Sequence, residues 1–186
     1  MLTGLLNKTS LVSGGKMMNN RVGKLLILIL VVGMFGFFAY SMVGKAKHTD
    51  VGDKAYNFEL PNLDGSNTKL SDYKGQMVVL NYFATWCAPC KEEAPELEAF
   101  QKEYGDKYNL LMINRGETID KVNKVSENNK AGMNYLFDYN AKVSKIFNVT
   151  AQPETFVIDK QGVIREHYNG PITEMQLYNW VKKYDK

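Results

Sequence analysis

The two cysteines of this chain, Cys87 and Cys90, stand in one string, Trp86-Cys87-Ala88-Pro89-Cys90. Cysteines three apart can close a disulfide without moving the rest of a fold. When every thiol of a protein shares one turn, the chemistry is reversible thiol–disulfide exchange rather than a stapled scaffold. The first of the pair can sit at a helix N-terminus, where aligned peptide dipoles and free backbone N–H groups stabilise a thiolate. Pro89 costs little in a first helical turn, because the N–H it lacks has no intrahelical partner there. The competing chemistry is half of a structural zinc site. His48 and His167 are the only histidines and both are distant in sequence, so a four-ligand set is not at hand. Neither metal nor cofactor is called for.

Positioning these sulfurs requires a strand before them and a helix after them. Met77 to Phe83 is nearly all apolar and rich in β-branched and aromatic residues, as a strand covered on both faces must be. From the cysteines to about Tyr104 the pattern is helical. Ala94, Leu97, Phe100 and Tyr104 share one face, and Glu92, Glu93, Glu96 and Lys102 read as a solvated one. Pro95 lies inside this helix and should kink it, and Gly105 ends it. Upstream, Tyr56–Leu60 and Thr68–Leu70 flank an Asp64-Gly65 turn and read as a small hairpin. Downstream come a strand at Leu110–Ile113, a helix from Thr118 to Asn129, a short strand at Tyr135–Phe137 and a helix from Ala141 to Phe147. Phe156–Asp159 and Val163–Tyr168 form a hairpin, and Thr173 caps a last helix to Tyr184. This order is that of an α/β domain with a mixed sheet.

Charge is divided along the chain. Residues 1–49 hold Lys8, Lys16, Arg21, Lys24, Lys45 and Lys47 and no acidic residue, which leaves the remainder with 17 basic and 20 acidic groups. The globular part therefore offers no electrostatic case for nucleic acid. Leu25 to Gly44 are twenty residues without a charge, long enough as a helix to cross a bilayer at about 1.5 Å per residue. Tyr40 suits the far interface. Four basic residues precede the span, which favours a cytoplasmic N-terminus and an exported C-terminal domain. No Ala-x-Ala-like cleavage site follows the run, so an uncleaved anchor is expected. Met17-Met18 offers an alternative start. The expected organisation is a cytoplasmic segment at 1–24, an anchor at 25–44, a linker at 45–54 and a globular domain at 55–186.

Four features together resemble the membrane-tethered, extracytoplasmic TlpA/ResA-type thiol–disulfide oxidoreductases of the thioredoxin superfamily. Asn81 through Lys91 stand where that family has its strand and active site. Pro95 matches the kink proline of its active-site helix. Gln152-Pro153-Glu154-Thr155-Phe156 through Gly162 match its cis-proline loop and the following strand, and Arg115–Asp138 match its central insertion. The resemblance spans about residues 50–185. It implies a thioredoxin-like fold with an N-terminal β-hairpin extension and a central insertion, preceded by one transmembrane helix. Two departures stand out. Asn81 occupies the place of the aspartate that bare thioredoxins bury under the site, and Ala88 replaces the glutamate that cytochrome-maturation reductants often carry between the cysteines.

The resemblance implies Cys87 as the exposed nucleophile, Cys90 as the more buried resolving thiol, and a Cys87–Cys90 disulfide in the oxidised form. It makes Trp86, Ala88, Pro89, Gln152 and Pro153 the substrate-binding surface, with the Gln152–Pro153 peptide bond cis and facing Cys87. Glu154 is a candidate proton acceptor compensating for Asn81, with Glu92 and Glu93 as rivals. His167 and His48 read as a solvated strand residue and a linker residue, and Met133-Asn134-Tyr135 as a contributor to a partner groove. The expected activity is reduction of disulfides in exported cysteine-containing proteins, such as apocytochrome c or a methionine sulfoxide reductase. Recharging would come from a membrane electron donor of the CcdA/DsbD type. The opposite direction, disulfide formation, stays open, because Ala88-Pro89 does not decide it. A peroxidase would need Thr-x-x-Cys where this chain has Thr85-Trp86-Cys87. A copper chaperone-like module would want Cys-x-x-x-Cys and a partnering histidine.

Overall fold

The computed structural model describes residues 20–43, 49–126 and 131–186. Expectations placed on Met17-Met18, on residues 45–48 with His48, and on 127–129 lie outside these, as does the side chain of Tyr40. The chain divides into two units, Met1–Lys45 and Ala46–Lys186. In the first, α1 runs Asn20–Val43, and its Arg21–Phe38 stretch is apolar and long enough to cross a membrane. The helix fits a single-pass anchor and begins before the expected Leu25, since Arg21 to Lys24 continue the same turns.

The second unit opens with the antiparallel pair β1 (Glu59–Pro61), shorter than expected, and β2 (Asn67–Lys69), of the expected length but one residue earlier. Asn57 lies outside the strand, and its side-chain oxygen accepts the Ser71 N–H at 2.9 Å. The expected 45–54 linker is corrected in its described half. Thr49 donates to the Ile146 carbonyl, Gly52 to Ile164 and Ala55 to Gly162, so the domain reaches back to Thr49.

The main sheet has five strands in the order β5-β4-β3-β6-β7. These are β3 (Val78–Phe83), β4 (Asn109–Arg115), β5 (Asn134–Asp138), β6 (Glu154–Ile158) and β7 (Ile164–Asn169). β4 and β5 run parallel to the central β3, while β6 is antiparallel to β3 and to β7. Every residue of β3 is buried, and its alternation feeds two cores. Val79 and Phe83 pack with Leu97 and Phe100 of α2 (Ala88–Tyr104), Val122 of α3 (Ile119–Ser126), and Leu177 and Val181 of α5 (Glu174–Tyr184). Val78, Leu80 and Tyr82 pack on the other face with Phe58, Leu60, Phe147 and Val143 of α4 (Lys142–Ile146). Each fully buried Leu, Val or Phe contributes roughly 1.5–3 kcal/mol relative to exposure.

Expected ends move by a residue or two for local reasons. Ala141 adopts a left-handed φ of 54° and so stays outside α4. Asp159 leaves β6 because its carboxylate accepts the Gln161 and Val163 N–H groups of the following turn. Thr173 caps α5 as expected, its hydroxyl accepting the Gln176 N–H at 3.3 Å.

Candidate active site

The end of β3 delivers Thr85, Trp86 and Cys87 to the start of α2, and Cys87 is that helix's N-cap. Cys87 and Cys90 form a disulfide. The Cys90 N–H donates to Cys87 Sγ at 3.2 Å, so an orphan amide of the first turn is aimed at the first sulfur. No acidic residue occupies that turn. Pro95 sits inside α2 without ending it.

From β6 comes the opposing wall. The Gln152–Pro153 peptide bond is cis, and the Gln152 carbonyl oxygen lies 3.5 Å from Cys87 Sγ. A disulfide sulfur carries no hydrogen, so in this state the contact is a close approach. In the dithiol the same geometry lets a Cys87 S–H donate to that carbonyl. Trp86 is 69% exposed, and Ala88 and Pro89 are exposed too, while Gln152 is half-buried and Pro153 buried. The expected contrast between an exposed Cys87 and a buried Cys90 is corrected. They are 4% and 7% exposed, because the Gln152–Pro153 loop covers Cys87. What distinguishes them is the N-cap position.

Three glutamates on the elements around the pair are buried: Glu93, Glu117 and Glu154. Glu154 was expected to serve the cysteines as a proton acceptor. Its Oε2 instead accepts the Thr150 and Ala151 N–H groups at 3.0 and 3.2 Å, and its Oε1 lies 2.6 Å from His167 Nε2. Glu154 braces the loop that presents Gln152. His167 is thus not a free solvated residue, and its ring also stacks on Phe156 at 4.2 Å. Glu117, which drew no attention in the sequence, clamps the other approach. Its Oε2 accepts the Thr85 N–H at 2.7 Å and Asn114 Nδ2 at 2.8 Å, and its Oε1 accepts the Thr85 hydroxyl at 2.6 Å. Burial pushes its carboxyl up, but the donors from Thr85 and Asn114 outweigh this and hold it below its ordinary value.

Glu93 is the larger correction. Expected on a solvated helix face, it is 2% exposed. Its Oε1 accepts the Ile172 N–H at 3.0 Å and its Oε2 accepts Asn81 Nδ2 at 3.0 Å. Burial raises its carboxyl to about 7, and the bonds from Ile172 and Asn81 offset this only in part. Asn81 Nδ2 also donates to Thr155 Oγ1, which leaves the buried Oδ1 without a partner. Asn81 thus ties Glu93 of α2 to Thr155 of β6. The available signal was spacing: Cys90, Glu93, Leu97 and Phe100 recur every three or four residues, which is the buried stripe of α2.

Beside Cys90 lies a small cavity of about 60 Å³, whose lining includes Asn81, Phe83, Met112, Met133 and Tyr135. Met133 and Tyr135 therefore line the interior rather than an outer partner groove, and only Asn134 between them is exposed. Among the described residues, no group of three or more His, Cys, Asp or Glu is placed to hold a metal ion.

Comparison with known proteins agrees with this geometry. The model of the AhpC/TSA family matches residues 51–167. The thioredoxin-like protein YneN of Bacillus subtilis is 33% identical over 156 residues, 82% of this chain and 91% of that one. The thiol-disulfide oxidoreductase ResA of Bacillus cereus is 29% identical over 89% of this chain and 96% of its own. The crystal structure of the exposed lipoprotein thioredoxin of Streptococcus pneumoniae superposes with a TM-score of 0.62 at 29% identity, covering 69% of this chain and 99% of that one. With its cysteine pair at a helix N-cap against a cis-proline loop, the chain belongs to the AhpC/TSA family and is a thioredoxin-fold, ResA-like thiol-disulfide oxidoreductase.

Proposed function

We propose that this protein reduces disulfides of exported proteins from a membrane-anchored position, with Cys87 as nucleophile and Cys90 as resolving thiol. The observation that carries this reading is Cys87 Sγ at the N-cap of α2, receiving the Cys90 N–H and facing the Gln152 carbonyl. The dipole and that N–H favour a Cys87 thiolate. The thiolate attacks one sulfur of the target disulfide, forming a mixed disulfide and releasing the other sulfur as a thiolate. Cys90, deprotonated, attacks Cys87 Sγ and expels the second target thiolate. The target gains two electrons and two protons, and the pair is left as the disulfide.

Glu93, not Glu154, suits the proton transfer. It stands one helical turn beyond Cys90 on the same buried face, with a carboxyl raised to about 7. Gln152 would align the target backbone as an added strand, and Trp86, Ala88 and Pro89 would form the exposed contact surface. Helix α1, with Lys8, Lys16, Arg21 and Lys24 preceding its uncharged stretch, supports a cytoplasmic N-terminus with the domain outside. Recharging would fall to a membrane electron donor of the CcdA/DsbD type. Apocytochrome c is one candidate target.

The test is to express Cys90→Ser in the native host, trap mixed disulfides and identify what is attached. Exported cysteine proteins are expected, held through Cys87. Recovery of cytoplasmic proteins alone would overturn the topology, and recovery of none would refute the exchange step.

A further inference from the structure

Resting on the exchange reading above, the remaining question is which targets the site prefers. A groove of about 570 Å³ begins at Gln152 and is lined by Trp86, Arg115, Gly116, Ala141, Thr150, Ala151 and Gln152. Its volume falls in the range of about 300–1,000 Å³ typical of ligand clefts. Its lining includes Trp86, next to Cys87 in sequence, and Gln152, whose carbonyl faces Cys87 Sγ at 3.5 Å, so a segment seated here lies beside a sulfur under attack. Gly116, Ala141 and Ala151 keep it open, and the exposed Trp86 ring forms a wall.

Among the described residues, Arg115, half-buried at the end of β4, is the only charged one lining this groove. Its guanidinium makes one hydrogen bond, from Nη1 to the Val149 carbonyl at 3.4 Å, and has no ion-pair partner among the described residues. Two buried carboxylates stand near it in the fold, and neither pairs with it. Asp138, opposite Arg115 across the β4–β5 ladder, accepts the Val143 N–H and both the N–H and hydroxyl of Ser144. Glu117 is held by Thr85 and Asn114. A guanidinium carries five N–H donors in a planar fork that matches a carboxylate, so most of its donors have no partner among the described residues.

We infer that the groove takes the segment flanking the reactive cysteine of a target protein, and that Arg115 selects targets with an aspartate or glutamate there. The occupant is an acidic peptide segment. The selection acts on which disulfide is attacked, not on the chemistry of attack.

The test uses the full-length protein, reduced and held in detergent micelles. Its substrates are end-capped peptides Gly-X-Gly-Cys-Gly-X-Gly in disulfide linkage to 2-mercaptoethanol, with X glutamate, glutamine or lysine. Each turnover oxidises the protein dithiol to its disulfide and reduces the peptide disulfide to two thiols. Capping leaves the side chain as the only carboxylate, and X on both sides removes dependence on chain direction. The readout is the ratio of second-order rates, glutamate over lysine, within each protein, so a general loss of reactivity cancels. The native ratio is expected at about five- to tenfold in low salt, falling as salt rises. Arg115→Gln should bring it near one, and Arg115→Glu should invert it. A native ratio near one, or an unchanged ratio in both variants, overturns the inference. If the native protein consumes no peptide at all, the exchange reading fails and this one falls with it.

Discussion

Glu93 follows the cysteine turn on α2 and Glu117 grips Thr85 just before it, both buried, yet their environments have opposite effects. Glu117 collects three donors, two from Thr85 and one from Asn114, and its carboxyl is held below the ordinary range. Glu93 collects two, from Ile172 and Asn81, and its carboxyl is raised to about 7. Burial acts against both charged forms; at Glu117 the donors from Thr85 and Asn114, with the Lys121 charge, outweigh it, and at the more deeply desolvated Glu93 the donors from Ile172 and Asn81 do not. The saturated glutamate fixes the backbone before Cys87. The under-supplied one, one helical turn from Cys90 on the same buried face, titrates near neutral pH.

Substitution should separate the two roles. Glu117→Ala leaves the Thr85 N–H, the Thr85 hydroxyl and Asn114 Nδ2 without their acceptor, and is expected to cost about 3–5 kcal/mol in denaturant unfolding. Glu93→Gln should have the opposite sign. Because the native Glu93 carboxyl titrates near 7 and an unfolded one near 4.5, the native state retains a proton that the unfolded state has lost. Stability therefore falls as pH rises from about 4.5 to above 7, by about 3 kcal/mol. Glu93→Gln should flatten that limb and be the more stable protein at pH 8, measured by unfolding at a series of pH values. A profile unchanged by this substitution would contradict the buried, protonatable Glu93. The Glu117 contribution runs the other way: it is present above the ordinary glutamate range and lost as pH falls through its lowered value. An acid limb should therefore weaken in Glu117 variants and persist in Glu93→Gln.

Smaller changes sharpen the contrast. Thr85→Val removes the hydroxyl that donates to Glu117 Oε1 and keeps the backbone donor, so a loss of about 1.5 kcal/mol is expected. The same substitution should move the Glu117 carboxyl upward, toward the behaviour of Glu93, which a carboxyl-resolved NMR titration would show. Trp86→Ala, at a residue 69% exposed, should change stability by no more than about 0.5 kcal/mol while slowing exchange with protein targets.

The sequence announced the parts of this site that depend on local rules. β3 could be recognised because both of its faces are covered, and the Thr173 cap and the start of α2 because side-chain oxygen, proline and cysteine positions carry local geometry. The cis Gln152–Pro153 bond came from resemblance, since an X-Pro pair by itself reads only as a turn. Glu93 and Glu117 were harder, because each depends on a partner 12 to 79 residues away. Glu93 meets Asn81 on β3 and Ile172 before α5, and Glu117 meets Thr85 on the neighbouring turn. In Lys91-Glu92-Glu93 the composition says solvent, and only the three- and four-residue spacing to Cys90 and Leu97 says otherwise. Glu154 was placed near the right loop but given the wrong task. Adjacency to Pro153 reveals proximity, and not that both oxygens are already occupied by Thr150, Ala151 and His167.

The most direct test is a redox titration of the full-length protein in thiol–disulfide buffers, counting alkylated cysteines by mass at each potential. A single reversible two-electron transition of Cys87 and Cys90 is expected, closer to about −270 mV than to about −120 mV. A midpoint near the upper figure would reverse the direction of electron flow proposed here, and no reversible transition at all would contradict the assignment of this cysteine pair as the active centre.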